Sequence, residues 1–255
     1  MTTDQRETGR TDSAWYVYGI VPADVETAAD VRGVDGRRVQ VVRHGDVAAL
    51  VSEIDPGTRL GRPDDLLAHQ RLLDDAAVDA PVLPLRFGAV MTTAQAVAED
   101  LLAPNRQGFA EALANLEGRV EYVLKGRFDE RTVLGEVVRE NAEAARLRER
   151  IHGRPETETH RDRVRLGELI HREIEARRRA VTERLVRELS PCCVASAVRD
   201  PTHHLDAVHV ALLVEDARRP ELEEAAATAV RAWADRVELR LLGPLAPWDF
   251  VVTPG

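Results

Sequence analysis

APVLPLRFGAVMT, residues 80–92, joins an apolar run, a proline, an arginine, an aromatic residue and a glycine. Val82 to Gly88 reads as a strand. Pro84 cannot donate to a ladder, which puts that strand at a sheet edge or gives it a bulge. Just upstream, LLAHQRLLDDAAVDA (66–80) follows Pro63, and proline is favoured at the first position of a helix. Leu66, Leu73 and Ala77 mark its expected buried stripe, while Asp64 and Asp65 suit the N-terminal end of the dipole. If the chain reverses near Ala80, His69 lies roughly 15 Å back at the helical rise. Arg86 lies roughly 15 Å forward at the strand rise. The two side chains are expected at one height. They either bond to nearby backbone carbonyls, locking helix to sheet, or organise a recognition surface.

Working outward, WYVYGIV (15–21) is a strand ending at Pro22, followed by a weak helical segment at 25–31 bounded by Gly33 and Gly36. Two Val-rich runs, 39–43 and 47–52, flank His44, Gly45 and Asp46, a loop suited to a hairpin. With the helix after Pro63 and the strand 82–88, the order is βαββαβ, a ferredoxin-like arrangement. The second half repeats it: strand 119–127, a long helical region 130–189, strands 192–198 and 205–214, an Ala-rich helix 220–235 and strand 237–242. Polar alternate positions in the outer strands suggest helices on one sheet face only. The expected class is α+β, with two ferredoxin-like units, the second carrying a long helical hairpin insertion. The expected organisation is a disordered leader (1–13) and an N-terminal unit (14–92). A helical connector (93–117) follows, as a pair of short helices interrupted by Pro104 and Gly108. The C-terminal unit spans 118–243, with its long helices at 130–189, and the tail (244–255) packs back on the body.

The charged stretch needs its own account. His152-Gly153-Arg154-Pro155 should split it into an antiparallel hairpin, with Leu166, Ile170, Ile174, Val181 and Leu185 near one stripe of its second helix. Residues 129–190 hold 15 arginines and 14 acids, so this stretch is close to neutral and the rest of the chain carries −10 of the net −9. Such balance suits a solvated helix with many i,i+4 pairs, and is compatible with a docking arm.

At 255 residues and 44% hydrophobic, the chain can bury one large core or two ordinary ones; with 4% aromatics that core is mainly Val, Leu and Ala. Of its 35 basic residues only Lys125 is a lysine, a bias that a G+C-rich genome produces without any binding role. The acidic balance argues against a nucleic-acid partner, and no apolar run is long enough for a membrane span. The polar first 13 residues lack the hydrophobic centre of a signal peptide. Adjacent Cys192 and Cys193 do not staple a fold, which fits a cytosolic protein.

Candidate chemistry is thin. His203, His204 and His209, with the two cysteines about a strand away, are badly spaced for a tetrahedral metal site, because neighbours on a strand face opposite ways. No phosphate-binding glycine loop or nucleophile elbow occurs. The carboxylate pairs Asp64-Asp65, Asp74-Asp75 and Glu223-Glu224 read as solvated or capping. Arg177-Arg178-Arg179 is flanked by Glu173, Glu175 and Glu183, which weakens a phosphate site. Trp248, Asp249 and Phe250 lie in a Pro- and Gly-rich tail that should fold back, sealing a core between the units or touching a partner. Catalytic, cofactor and metal residues are therefore assigned as none.

Several of these motifs resemble the gas vesicle GvpL/GvpF family: the histidine-bearing helix leading into VLPLRFG, WYVYGIV at 15–21, GRVEYVLKGRF at 118–128 and LGPLAPWDFV at 242–251. The resemblance implies an assembly accessory or minor structural protein of gas vesicles, located at the vesicle or in the cytoplasm. Its implied partners are the hydrophobic shell protein GvpA and other accessory proteins, with no catalysis and no cofactor. The alternative from another class is a ferredoxin-like haem or small-molecule-binding enzyme, since fold alone does not set function.

Overall fold

The computed structural model describes residues 13–251; the expected leader lies, apart from residue 13, outside them, as do the last four residues of the tail. The chain divides into two compact units. Residues up to Val120 join those from Pro244 onward, and Glu121 to Gly243 form the other.

The first unit holds β1 (Ala14–Pro22), β2 (Gln40–His44), β3 (Val47–Ile54), α1 (Pro63–Asp79) and two short strands, β4 (Leu83–Pro84) and β5 (Val90–Met91). Its antiparallel sheet runs β2-β3-β1-β4, with β5 also paired to β1. A register shift between Val17 and Gly19 bends β1. Gly19 sits there because a Cβ would stand 2.8 Å from both Leu73 Cδ2 and the Leu83 carbonyl. Tyr16, Tyr18, Leu50 and Ile54 form a core with Leu72, Leu73 and Ala77 of α1.

Four expectations change here, the last being that helices cover one sheet face only. The segment 25–31 is not helical; only a three-residue 3-10 turn, Val34–Gly36, appears before β2. Arg43 holds that segment in an open course, donating to the carbonyls of Ala23 and Val25 at 2.8 and 3.0 Å. Of the expected strand 82–88 only Leu83–Pro84 is a strand, with Pro84 at the sheet edge as its missing donor requires, and a second short pairing with β1 follows beyond it at Val90–Met91. The interrupted connector is one continuous helical rod: α2 (Ala94–Ala96), a π-helical turn (Val97–Leu102) and α3 (Ala103–Leu116). The wider π turn accommodates Pro104 in the first turn of α3, where the absent N–H costs nothing. This rod lies against the first sheet. Val17, Val47, Ala49 and Val51, the residues alternating with the α1-facing set, are buried too, so this sheet is covered on both faces.

The second unit holds β6 (Arg119–Phe128), α4 (Glu130–Glu140), α5 (Ala142–Ile151), α6 (Glu156–Leu189), β7 (Ala195–Val198), β8 (Asp206–Glu215), α7 (Arg219–Trp233) and β9 (Val237–Leu245). Its sheet order, β7-β8-β6-β9, repeats that of the first. The expected hairpin is α5 against α6, with the break at residues 152–155. An unexpected break falls at Asn141, whose side chain caps α5 by accepting from the amides of Glu143 and Ala144. Leu169 and Leu189 join Ile174, Val181 and Leu185 as buried residues of α6, whereas Leu166 and Ile170 are half-buried. Arg150 to Asp162 and Arg165 to Glu143 tie the hairpin together at 2.9 Å.

Gly126 of β6 is fixed by packing: a Cβ there would stand 2.5 Å from Leu239 Cδ2 and 2.8 Å from Val208 Cγ1. Gly126→Ala is expected to destabilise by about 1–3 kcal/mol. Gly108→Ala, at a site with nothing within 4 Å, should stabilise α3 by up to about 1 kcal/mol. Chemical denaturation of both variants checks the pair.

Candidate functional site

Tyr16 and Tyr18 of β1 point into the core of the first unit, and a phenol hydroxyl placed there must find both a donor and an acceptor. The Gly88 amide donates to Tyr16 Oη at 3.2 Å. Tyr16 Oη lies 2.9 Å from His69 Nδ1, and His69 Nε2 lies 3.1 Å from the Leu85 carbonyl. A carbonyl only accepts, so Nε2 carries the proton and Nδ1 accepts from Tyr16. One hydrogen-bonded line therefore runs from Gly88 through β1 and α1 back to Leu85. Tyr18 heads a second line: the Val34 amide donates to it at 2.8 Å, it donates to Ser52 Oγ at 2.9 Å, and Ser52 donates to the Arg38 carbonyl at 3.0 Å. Gly33 permits this approach, since a Cβ there would lie 2.0 Å from Tyr18 Oη.

The His69 ring stacks on Tyr18 at 5.6 Å and meets Tyr16, Phe87 and Trp248 at 5.7, 5.6 and 5.8 Å. Burial among these rings lowers its pKa, opposed in part by the Leu85 bond. Burial likewise raises both tyrosines. The cluster holds no exposed nucleophile or base; it is a structural clamp.

The structure separates the expected His69–Arg86 pair. His69 locks α1 to the VLPLRFG segment, but through Leu85. Arg86 is exposed and makes no side-chain hydrogen bond or ion pair among the described residues. The buried stripe of α1 is Asp65, His69, Leu72, Leu73 and Ala77; Leu66 is 47% exposed. Asp65, expected to be solvated, is buried, and accepts from the Arg62 backbone amide at 3.2 Å and its guanidinium at 3.1 Å. Those bonds to Arg62 depress its pKa. Asp74 is also not a freely solvated carboxylate: it accepts from the Ala246 amide at 2.9 Å, and burial raises its pKa. That bond anchors the tail, placing Trp248 on the core of the first unit.

The remaining candidates fall in the second unit. His203 and His204 rings touch at 4.1 Å, and His203 Nδ1 accepts from the Leu205 amide. No three His, Cys, Asp or Glu side chains converge among the described residues. Both cysteines are free; burial pushes the Cys193 thiol up to about 11. Arg178 donates to the carbonyls of Asp206 and His204 at 2.6 and 2.8 Å, and Arg177 pairs with Glu140 at 2.7 Å, so these two are structural cross-links. Sequence reasoning missed Asp206, which is buried and accepts from the amides of Thr202 and His203 at 2.8 Å. The Thr-His-His-Leu-Asp spacing was the available signal, an Asp closing a turn over the preceding amides. Glu223 of α7 accepts from Tyr122 Oη at 2.7 Å.

The family model for "Gas vesicle synthesis protein GvpL/GvpF" matches residues 14–252. Gas vesicle protein F of a Streptomyces species is 31% identical, with 92% of this chain and 98% of the relative covered. Gas vesicle protein L of the same source is 29% identical, over 94% of this chain and 93% of the relative. The crystal structure of the gas vesicle protein GvpF from an Anabaena species superposes with a TM-score of 0.78 at 22% identity, covering 95% of this chain and all of that one. GvpF from Microcystis aeruginosa gives 0.76 at 22%, covering 93% and 98%. The solved structures support the mixed α+β fold with two antiparallel sheets.

Because the folded pKa of His69 lies below its unfolded value, the unfolded chain binds the extra proton. Its contribution is complete above about pH 6.5 and declines as pH falls below that. His209, lowered chiefly by burial, acts in the same direction. His69→Gln is expected to lose roughly 2–3 kcal/mol at neutral pH and to show a shallower fall in melting temperature between pH 7.5 and 5.5 (about one unit either side of the unfolded value). Arg86→Ala should leave the melting temperature unchanged. Thermal melts across pH check all three.

Proposed function

The chain belongs to the GvpL/GvpF family of gas vesicle proteins, and from that premise we propose that it is a non-catalytic assembly accessory or minor structural component. In this reading it acts at the gas vesicle and in the cytoplasm. It binds the hydrophobic shell subunit GvpA, together with other accessory proteins, during nucleation and growth. A subunit that polymerises into an apolar wall has to be kept from premature aggregation, and an open strand edge can cap a partner strand through backbone hydrogen bonds.

The observation carrying this reading is β7. It ends its sheet, spans four residues, and exposes apolar side chains at its two ends, Val194 just before it at 44% and Val198, its last residue, at 67%. A hydrophobic sheet edge in a water-facing position is a template for pairing. The charge-balanced hairpin of α5 and α6 keeps such a complex soluble. On the same reading both units are versions of one ferredoxin-like βαββαβ plan, with the helical segment 93–117 as connector and the tail returning to the body. The repeated strand order supports this, and the non-helical 25–31 segment is the departure in the first unit.

Co-expression with the shell protein is the test. A soluble, stoichiometric complex is expected, and Val198→Lys, at an exposed site, should reduce its yield several-fold without lowering the melting temperature. A shell protein that stays insoluble and never co-purifies overturns the holding role. A Soret band between 350 and 450 nm from the purified chain would instead favour the haem-binding alternative.

A further inference from the structure

A groove of about 940 Å³ opens in the first unit, bounded by the segment after β1, by α1 and by α3. Its volume lies at the upper end of what small-molecule pockets reach, and it is open rather than enclosed. Apolar side chains form the floor: Val25 and Val31 from the irregular segment, Leu50 from β3, Leu72 from α1 and Leu113 from α3. The walls are ridged at helical spacing, by Leu72 and Ala76 of α1 on one side and Ala110, Leu113 and Ala114 of α3 on the other. Ridges with i,i+3 and i,i+4 spacing and small residues between them accept the ridges of a third helix.

The rim decides what that helix carries. Asp24, Glu26, Asp75, Asp79 and Glu117 line it, with Asp46. Asp46 already has a partner, Arg106 at 3.0 Å. The other five make no side-chain hydrogen bond or ion pair among the described residues, and all five are exposed. Among the described residues, no Lys or Arg lines the groove. Elsewhere this arginine-rich chain pairs its carboxylates repeatedly, as in Arg150–Asp162, Arg177–Glu140 and Arg218–Glu221. Five like charges around an apolar floor repel one another and attract a partner of opposite sign.

We propose that this groove is a docking site for an amphipathic helix of a partner protein, with an apolar stripe for the floor and Arg or Lys on its flanks. Residues 1–12 of this chain do not fit this chemistry: they carry three acids against Arg6 and Arg10 and no apolar stripe. The site is independent of the β7 edge, so it stands whether or not a shell strand pairs there.

Fluorescence anisotropy with a labelled amphipathic peptide of leucine and lysine, and its counterpart with glutamate for lysine, tests the proposal on the full chain. The lysine peptide is expected to bind, more weakly as salt shortens the reach of the rim charges below about 8 Å, and the glutamate peptide not to bind. The double variant Asp75→Asn, Asp79→Asn and, separately, Ala114→Arg should each weaken binding by roughly tenfold. All three sites are exposed, so unchanged melting temperatures are expected. Val198→Lys should leave peptide binding intact even where it abolishes capture of the shell protein, which separates this site from the edge. Equal binding of both peptides, or affinity unaffected by both groove variants, overturns the proposal. So does concentration-dependent self-association abolished by Ala114→Arg, which would assign the groove to a second copy of this chain.

Discussion

The first unit depends on a buried hydrogen-bonded line, Gly88 to Tyr16 to His69 to Leu85. Each link has one donor and one acceptor, so the arrangement fits only a neutral His69 with its proton on Nε2. The VLPLRFG segment pairs with β1 at Leu83 and Pro84, adds one bond from the Leu85 amide to the Tyr18 carbonyl at 2.9 Å, and then leaves the ladder. Backbone pairing alone would hold it weakly. The line supplies the missing attachment from the opposite side, joining strand, helix and segment at one point. Phenylalanine at Tyr16 would fill the space but leave His69 Nδ1 and the Gly88 amide without that partner, and an unmet buried polar group costs more than the bond itself yields. The Tyr18 line does the same for the turn at Val34, which explains why two neighbouring tyrosines, both inward-facing, stand in so aromatic-poor a chain.

The second unit solves its cross-linking differently. It has few aromatic anchors and uses arginine instead. Arg178 ties α6 to the turn before β8 through two carbonyls, and Arg177 ties α6 to the end of α4. A planar guanidinium can meet two acceptors at once, which suits joining an irregular turn to a helix. The exposed pairs on α5 and α6 add little individually. Their main effect is to keep a long helical pair soluble and near neutral.

Much of the architecture was legible because it follows period and punctuation. Pro63 marked the start of α1, and the alternation in residues 119–127 and 237–242 marked two strands. One misreading has a simple cause: a polar residue that looks solvated can be buried when a local partner satisfies it. Asp65 faces inward because Arg62, three residues earlier, meets it; a hydrophobic stripe drawn through Leu66 misses that. The distance argument brought His69 and the strand to one level, and the bond to a nearby backbone carbonyl expected of both residues is made by His69, to Leu85, but not by the exposed Arg86. Segment 25–31 has helix-compatible residues, but Arg43 binds its first carbonyl, Val25, and that of Ala23 just before it, a tertiary claim on the backbone that local propensity does not register. Pro104 read as a break because the π turn that relieves it has no simple sequence signature.

These local outcomes combine in the charge distribution. Residues 129–190 neutralise themselves, so the net negative charge resides elsewhere. Part of it gathers where 25–31 failed to become a helix. There an apolar trough lies uncovered inside an acidic border. A fold held together by satisfied internal polar lines can tolerate such a border. The repulsion is spread over solvent-exposed carboxylates, where each pair costs little, and it is relieved only when a cationic surface arrives.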